Sequence, residues 1–500
     1  MPYLRSLVCL LCICTSISTR ADIDYNATTT KYRPNEEIQL PNIGTIASSA
    51  LPINKEIKLG QVYMGLLENH RPIIHDPLLN YYINNLGQLL VSHAENVHTS
   101  FHFFLINSDQ MNAFAFFGGY VALYTKLILT TDSENELASV LAHEISHVTQ
   151  RHIARQIAQQ KKETPLTIAA LLGSVLVASA TGTPVVGAAA FSSTAALSLQ
   201  SQINFTRANE IEADRIGMQT LERAGFNISG MVNFMQKLLD RYRYSTHLPP
   251  LLLTHPLPAS RVTEAQTRLQ QYTIYKRTSS LDYYLAKARI KTRYTSGSTT
   301  TKLKELHHQY QSTKNSPLLR QANAYALALI YLEEKNLVKA HQYLDPLLGK
   351  APLNLFYLDT QTDLLLAENK ISLAIKKLRH ALNLSVDNPI LETNLAQAYL
   401  SNKQYKQALL TLEKLTYRNP QDMVAWQLLE RTGAKMQDPV LKLKGRAEQQ
   451  VLKGQWDNAL NNYVKASQLA PLGSNTQEMI DARIDQIRKE KLVIETLLHN

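Results

Sequence analysis

Cysteine is almost absent from this chain of 500 residues, and the few that it has lie together near the start. They fall in a short apolar run that follows Arg5 and precedes the small residues Thr19 and Ala21. This pattern is typical of a secretory signal, so we expect residues 1–21 to be removed. The mature chain would then have no disulfide, which is compatible with a bacterial periplasm. The cysteines are Cys9, Cys12 and Cys14, and the residues before the last of them fit a lipoprotein signal poorly.

The sequence also lacks a hydrophobic run long enough to span a bilayer. The apolar part of the signal is too short. Residues 164–206 contain no charged residue, but Gly182 and Pro184 break this segment. Each half has about 16 residues, or about 24 Å as helix, against a hydrocarbon core of about 30 Å. We expect a helical hairpin that serves as a lid or a buried pair, and a membrane-touching surface is the third possibility.

A nucleic-acid-binding motif is absent as well. The formal charge of +11 falls by two, to +9, because Arg5 and Arg20 leave with the signal. The remaining lysines and arginines are scattered, so we predict no nucleic-acid partner. A mildly basic chain fits peripheral contact with anionic lipid or lipopolysaccharide.

What the sequence does contain is an amphipathic helix with two histidines at helical spacing. Ser133 and the acidic residues after it are typical of a helix start. His143 and His147 are four residues apart, so they lie on one face and can bind one metal ion. Glu144 lies about 100° further round and can reach a water molecule on that metal. Zinc lowers the pKa of such a water to about 7, and Glu144 would take its proton. Taken alone, the pattern also fits two packed, hydrogen-bonded histidines.

Glu210 and Asp214 form a second pair of residues four apart. A catalytic zinc needs three protein ligands and one open position, and Glu210 would be the third ligand. Asp214 would accept the spare ring N–H of a ligating histidine, which we take to be His143. An ordinary charged helix face is the alternative for this pair. The two complementary pairs in one chain favour one Zn²⁺ per chain.

Two neighbouring residues are excluded from the predicted site. Glu212 points about 200° away from Glu210 on the same helix, so we expect it to face solvent. His152 would lie about 140° off the face of His147, so we assign it a structural role.

A predicted strand lies just before the histidine helix. Residues 101–107 and 111–124 alternate as strands, with a Gly-Gly turn or bulge. An extended peptide can pair with such an edge and lay its scissile bond across the metal. We expect substrate to bind at Asn112, Ala113 and Phe114. A hairpin that serves only the core is an equally good interpretation.

The motifs His-Glu-x-x-His and Glu-x-x-Ala-Asp together resemble those of the HtpX-like gluzincin metallopeptidases. His255, Pro256, Pro258 and Arg261 match a further segment of that family. The resemblance implies that His255 and Arg261 act at the zinc cleft. Either His255 donates a hydrogen bond to the oxyanion with Arg261 assisting, or His255 occupies the fourth zinc position in a resting enzyme.

The C-terminal part of the chain changes character. Ala340, Ala374 and Ala408 are spaced by 34 residues, the tetratricopeptide period. A further unit centres on Ala459, after an extra helix around residues 422–432. Stacked helix pairs form a curved surface, and arrays of this kind usually bind proteins. A purely structural extension is the alternative.

These observations predict a fold that is mainly α (α+β). A lead-in at 22–50 precedes a zincin-like metallopeptidase domain with a small sheet at 51–275. An α-solenoid of tetratricopeptide repeats follows at 281–500. We expect each of the two domains to bury its own core.

Some members of this family also carry a signal peptide and C-terminal repeats. Their resemblance to this chain implies a function for it. By resemblance, the chain is a periplasmic zinc metalloendopeptidase with a chaperone-like role in assembly and quality control of outer-membrane β-barrel proteins. Its substrates would include misfolded proteins, and its repeats would contact the barrel-assembly machinery. A repeat-based periplasmic chaperone or adaptor with little proteolytic activity is the main rival, against which the intact Glu144 argues. A non-proteolytic zinc hydrolase is the third possibility, and the predicted peptide-binding strand and the repeats weigh against it.

Overall fold

The computed structural model describes residues 51–163, 207–274 and 276–499. The predicted signal peptide, the lead-in at 22–50 and the uncharged segment at 164–206 lie outside the described residues. Within the described ranges, no helix is long and apolar enough to cross a membrane.

The first half of the described chain folds as helices around a small sheet. Its elements are α1 (Ile53–His70), α2 (Pro77–Val91), β1 (His102–Ile106), β2 (Ala113–Phe116), β3 (Tyr120–Tyr124), α3 (Thr125–Thr130), α4 (Glu134–Thr149), α5 (His152–Glu163), α6 (Arg207–Arg223), α7 (Ser229–Tyr242), α8 (Pro250–Thr254) and α9 (Ala259–Leu269). Local chemistry sets several of these boundaries. Asp76 caps α2 by accepting hydrogen bonds from two backbone N–H groups, and Pro77 occupies the first helical position.

The three strands are ordered β1-β3-β2. β3 pairs in parallel with β1 and antiparallel with β2. The tight turn between β2 and β3 depends on Gly119, which has φ +81°, and a Cβ there would lie 2.1 Å from the Ser100 carbonyl oxygen. The predicted strands and their glycine turn are confirmed. In the described sheet, β2 pairs on one side only.

Helix α4 lies at the centre of the peptidase part. β2, α2, α6 and α7 pack around it, and nearly all of its residues are buried. A helix enclosed on every side can hold its polar side chains in fixed positions, which a metal site requires.

The second half is an array of helices packed in sequence. Its elements are α10 (Leu281–Arg293), α11 (Thr299–Ser312), α12 (Pro317–Glu333), α13 (Leu337–Lys350), α14 (Leu355–Ala367), α15 (Ile371–Leu384), α16 (Pro389–Ser401), α17 (Tyr405–Arg418), α18 (Met423–Met436), α19 (Pro439–Leu452), α20 (Trp456–Leu469) and α21 (Asn475–His499). The alanines that mark the repeat period, Ala340, Ala374, Ala408 and Ala459, are all fully buried. The predicted fold class, mainly α with a small sheet and a helical repeat array, is confirmed.

The core of the peptidase part extends into the first repeats, so the expectation of two separate cores is wrong at this junction. The later repeats bury clusters of their own. One cluster of buried side chains runs from Ile74, just before α2, to Ile390 in α16. The physical reason is that α10 packs directly against α2 and α3. A buried ion pair crosses the same contact: Arg289 Nε donates to Asp76 Oδ2 at 2.6 Å. Within the repeats, Arg289 Nη1 also donates to Asp359 Oδ2 at 2.9 Å.

The far end of the array also returns to the peptidase part. Asn69 Nδ2 at the end of α1 donates to the Lys453 carbonyl oxygen at 2.5 Å, and Gln455 Nε2 donates to Asn69 Oδ1 at 2.6 Å. A Cβ on Gly65 would lie 2.9 Å from Gly454 N, so the backbones approach closely there. A cavity of about 590 Å³ lies between the peptidase part and the array.

Candidate metal centre

The close approach of α6 to α4 builds the site. A Cβ on Gly217 of α6 would lie 3.3 Å from both Ala142 C and His143 N of α4. Because glycine allows this contact, Glu210 and Asp214, on the same helix as Gly217, reach the histidines of α4. All of these side chains are buried: His143 is 9% exposed, and Glu210 is 1% exposed.

Four side chains converge on one point: His143, His147, Glu210 and His255. His143 Nε2 lies 3.0 Å from His147 Nε2. The Glu210 carboxylate lies 3.5 Å from His143 Nε2 and 3.4 Å from His147 Nε2. His255 Nδ1 lies 3.0 Å from Glu210 Oε1 and 3.4 Å from His143 Nε2.

These spacings fit a tetrahedral zinc site. With zinc–ligand bonds of about 2.0–2.1 Å, tetrahedral geometry separates the ligand atoms by about 3.3 Å. The observed separations of 3.0 to 3.5 Å scatter around that value. Two imidazoles and a carboxylate are also ligands that zinc prefers, and His255 would be a fourth.

Asp214 and Arg261 surround the ligands with further contacts. Asp214 Oδ1 lies 2.9 Å from His143 Nδ1. Arg261 donates to both Asp214 oxygens at 2.8 Å and to Glu210 Oε2 at 2.7 Å. Its Nη1 also donates to the Pro256 carbonyl oxygen at 2.7 Å, so one guanidinium joins a ligand, its neighbour and the His255 loop.

Burial and the neighbouring side chains act in opposite directions on the pKa values of this cluster. Burial by itself lowers the pKa of His143, but hydrogen bonds to Asp214 and Glu210 outweigh it and raise that pKa to about 10. Burial would raise the pKa of the Glu210 carboxyl, but His255, His143 and His147 hold it well below the usual range. Burial lowers the pKa of His147 well below its usual range.

His152 lies outside the group of metal-ligand atoms, as predicted, but it contacts His147, and Glu212 is half-buried instead of facing solvent. His152 is fully buried, and its Nδ1 lies 2.8 Å from His147 Nδ1. Its Nε2 lies 3.2 Å from Glu212 Oε2, and Arg155 Nη2 donates to the same oxygen at 2.6 Å. The angles assumed one continuous helix, but α4 ends at Thr149 and Arg151 adopts φ 53°, which turns His152 back onto His147.

Glu144 has a different environment from the other carboxylates of the site. It is 1% exposed, yet neither of its oxygens has a hydrogen-bond partner among the described residues. The His255 Nε2 atom lies 3.6 Å from Glu144 Oε1. A buried carboxylate without a hydrogen bond is costly unless a water molecule or a ligand completes it, so it is placed to accept a proton.

The segment just before the edge strand contacts the segment that leads to His255. β2 packs against α4, and the side chains of Asn112, Ala113 and Phe114 are buried. The Leu251 N–H at the start of α8 donates to the Met111 carbonyl oxygen at 3.3 Å. The structure therefore brings the residues predicted from the two motifs, the His255 segment and the edge strand to one region.

Comparisons with known proteins identify the family to which this architecture belongs. Residues 77–269 match Peptidase family M48, and residues 365–431 match a tetratricopeptide repeat. The chain is 43% identical over 457 residues to the putative beta-barrel assembly-enhancing protease of Vibrio cholerae, covering 91% of this chain and 94% of that one. It is 45% identical over 450 residues to the beta-barrel assembly-enhancing protease of Escherichia coli, covering 90% and 91%. The Yersinia pestis protein of the same name is 42% identical over 474 residues, covering 95% and 96%.

These matches extend through both the peptidase part and the repeats, so they concern the whole architecture and not the metal motif alone. The predicted metallopeptidase resemblance is confirmed. The chain belongs to the family of beta-barrel assembly-enhancing proteases, and it is a metalloendopeptidase.

Proposed function

We propose that this chain is a periplasmic zinc metalloendopeptidase that cleaves misassembled outer-membrane β-barrel proteins and assists the assembly of others. The names of its relatives support the substrate class. The observation that supports the chemistry is the convergence of four metal-ligand atoms next to the buried carboxylate of Glu144, which has no hydrogen-bond partner among the described residues. Export by the signal at 1–21 and the absence of cysteine from the mature chain support the compartment.

In this proposal, His143, His147 and Glu210 hold one zinc ion, and Asp214 fixes the ring of His143. Zinc bound there would act as a Lewis acid toward a water molecule and the substrate carbonyl. Glu144 takes a proton from the attacking water and passes it to the departing amine. A positioned general base of this kind contributes roughly 10²- to 10⁴-fold to the rate.

Of the two roles open for His255, its geometry favours that of a resting ligand. A zinc ion with four protein ligands has no open position for water or substrate. His255 Nδ1 lies at ligand spacing from Glu210 and His143, so it must leave before cleavage begins. Arg261, whose guanidinium is bound to two carboxylates and Pro256, holds this loop in place.

Substrate would add as a strand to β2 at Asn112, Ala113 and Phe114. The unpaired side of β2 in the described sheet supports this, because main-chain hydrogen bonds recognise an extended peptide whatever its sequence. The repeats at 281–500 would bind the barrel-assembly machinery and large substrates, while 51–275 forms the peptidase. Exposed apolar side chains on the array, such as Leu410 and Tyr417, support protein contact there.

The test uses the purified mature protein with an unfolded outer-membrane barrel protein as substrate. Glu144→Gln should keep one zinc per chain and lose cleavage by at least 100-fold, because only the proton acceptor changes. Bound zinc is measured by elemental analysis, and cleavage is followed by gel electrophoresis. Wild-type turnover in this variant would refute the role, and a zinc-loaded wild type that cleaves nothing would leave the chaperone as the better function.

His255→Ala separates the two roles of that residue. A resting ligand predicts faster and less selective cleavage, whereas an oxyanion donor predicts a loss of roughly 10²- to 10³-fold. His247→Ala is the matched control, since His247 is exposed on the segment that leads to the same loop. Wild-type turnover and selectivity in His255→Ala would exclude both roles.

A further inference from the structure

The segment that joins α7 to α8 exposes apolar and basic side chains that the proposed reaction does not use. Tyr244 is 90% exposed, Leu248 is 42% exposed, and Leu253 on α8 is 55% exposed. Arg241 and Arg243 are exposed as well. We call these five residues the 241–253 surface. One exposed apolar side chain needs no explanation, but three of them beside two arginines in one short segment form a patch that a partner can cover.

The backbone at the two helix ends keeps these apolar side chains out of the core. α7 ends at Tyr242, whose ring packs against the core, and the Ser245 N–H donates to the Tyr242 carbonyl oxygen at 3.1 Å. The chain turns there, and Tyr244 lies beyond the end of the helix. On α8, Leu251 is buried and Leu253 is exposed, because residues two apart point about 200° away from each other.

Each arginine of this surface lies over a tyrosine ring. The guanidinium carbon of Arg241 lies 5.7 Å from the centroid of the Tyr242 ring, and that of Arg243 lies 5.7 Å from the centroid of the Tyr244 ring. Both distances are within the range of cation–π attraction. A guanidinium can bind a phosphate through two parallel hydrogen bonds, and tyrosine rings are enriched where a membrane meets water.

The positive charge of this surface is not neutralised by the chain itself. Among the described residues, neither Arg241 nor Arg243 forms an ion pair with a carboxylate. The neighbouring Asp240 instead accepts a hydrogen bond from Gln236 Nε2 at 2.7 Å. From Arg241 to residue 263 the sequence contains no acidic residue. A surface that combines this charge with exposed apolar side chains is complementary to a negatively charged, partly apolar partner.

We propose that the 241–253 surface binds the headgroup layer of an anionic phospholipid bilayer. Arg241 and Arg243 pair with lipid phosphates, and Tyr244, Leu248 and Leu253 enter the boundary between the headgroups and the acyl chains. A bilayer fits this combination because it presents a layer of phosphates directly over an apolar layer. The proposal goes beyond the peptidase function and does not depend on it.

The position of this surface gives the binding a consequence for the site. Leu253 lies only two residues before His255, which is one of the four converging side chains of the metal centre. A protein bound to a bilayer through the 241–253 surface therefore holds its metal centre close to that bilayer.

The strength of the binding follows from the charges. Each arginine close to an anionic bilayer strengthens binding by roughly fivefold, so the two together contribute roughly 25-fold. Salt screens such attraction over about 8 Å at physiological ionic strength, so binding should weaken as salt is raised.

Vesicle flotation with the full-length mature protein tests the proposal. Wild type should float with vesicles of phosphatidylglycerol and phosphatidylethanolamine, and it should bind vesicles of phosphatidylcholine alone far more weakly. The double variant Arg241→Gln/Arg243→Gln should bind the anionic vesicles roughly 25-fold more weakly. Tyr244→Ser should lose roughly 3- to 10-fold, because its ring leaves water only in part. Circular dichroism should show unchanged melting temperatures for these variants, because all three side chains are exposed.

Matched controls separate this surface from the overall basic charge of the chain. Arg379→Gln/Arg431→Gln removes the same charge from two exposed arginines of the repeat array, and Tyr417→Ser changes a tyrosine there that is 87% exposed. Both controls should bind within about twofold of wild type, because charges far from the bilayer are screened. Equal losses in the control pair and the Arg241/Arg243 pair would overturn the assignment of this surface.

A wild type that binds no anionic vesicle even at low salt would also overturn the proposal, and a protein would then be the better partner for the surface. Binding that inorganic phosphate abolishes at constant ionic strength would overturn it too, since the surface would then recognise a single anion and not a bilayer. None of these measurements involves turnover, so a failure of the proposed peptidase function would not alter their results.

Discussion

Replacing His152 by phenylalanine should weaken zinc binding although His152 is not among the proposed ligands. Its Nδ1 lies 2.8 Å from Nδ1 of the ligand His147, and its Nε2 lies 3.2 Å from Glu212. Glu212 can only accept, so His152 carries its proton on Nε2. His152 Nδ1 is then the acceptor for the His147 Nδ1–H, which directs the lone pair of His147 Nε2 toward the proposed metal position.

The expected loss follows from the burial of this contact. In His152→Phe, the Nδ1–H of His147 loses its acceptor. Because His147 is only 2% exposed, this loss costs about 1–3 kcal/mol. Since about 1.4 kcal/mol is tenfold, zinc affinity should fall by roughly 5- to 150-fold. Loss of an outer partner of a ligating histidine commonly costs 10- to 100-fold, which agrees with this range.

The assay is a competition for zinc with a chelator of known affinity, at a temperature where circular dichroism shows the metal-free variant folded. His152→Gln retains a side-chain acceptor and should recover part of the affinity. His98→Phe, at an exposed histidine, should match wild type. A folded His152→Phe variant whose zinc dissociation constant stays within threefold of wild type would refute the orientation of His147 by His152.

Three further outcomes can be measured on the same protein. Arg289→Met should lower the free energy of unfolding in urea by about 3–5 kcal/mol, because it leaves Asp76 and Asp359 buried without their partner; a wild-type midpoint would contradict this. Truncation after residue 280 should lower the melting temperature of the peptidase part, because it uncovers the core that α10 completes; an unchanged transition would restore the expectation of separate cores. Removing zinc by chelation should lower the melting temperature while helical circular dichroism persists, because Arg261 still pairs with Glu210 and Asp214; complete unfolding would contradict it.

The parts of the site that follow helical periodicity could be predicted from the sequence. Pairs four residues apart must share a helix face, so His143 with His147 and Glu210 with Asp214 were recognisable before any contact was known. The repeat alanines were recognisable for a similar reason, because a helix crossing tolerates only a small residue at a fixed period. Local constraints of this kind do not depend on the rest of the fold.

The contacts that depend on a change of chain direction could not be predicted. The position of His152 depends on the positive φ of Arg151, a residue type with no preference for that conformation. The pairing of β1 with β3 in parallel, with β2 at the edge, depends on how the chain crosses over. The shared core depends on where α10 docks, and a 34-residue repeat period contains no information about what covers its first helix.

The His255 segment is attached at both ends, and these attachments would link the proposed substrate strand to the proposed metal site. At one end, the Leu251 N–H is bound to the Met111 carbonyl oxygen, directly before the edge strand β2. At the other end, the Pro256 carbonyl oxygen is bound to Arg261, which also binds the ligand Glu210. A peptide that pairs with β2 would therefore arrive next to one attachment of the segment that carries the proposed fourth ligand. Any shift of α8 that makes room for the peptide moves His255 relative to zinc, because only three residues separate Leu251 from His255. In the proposed mechanism, occupancy of the edge strand and release of the metal position would therefore be coupled through this one short, proline-containing segment.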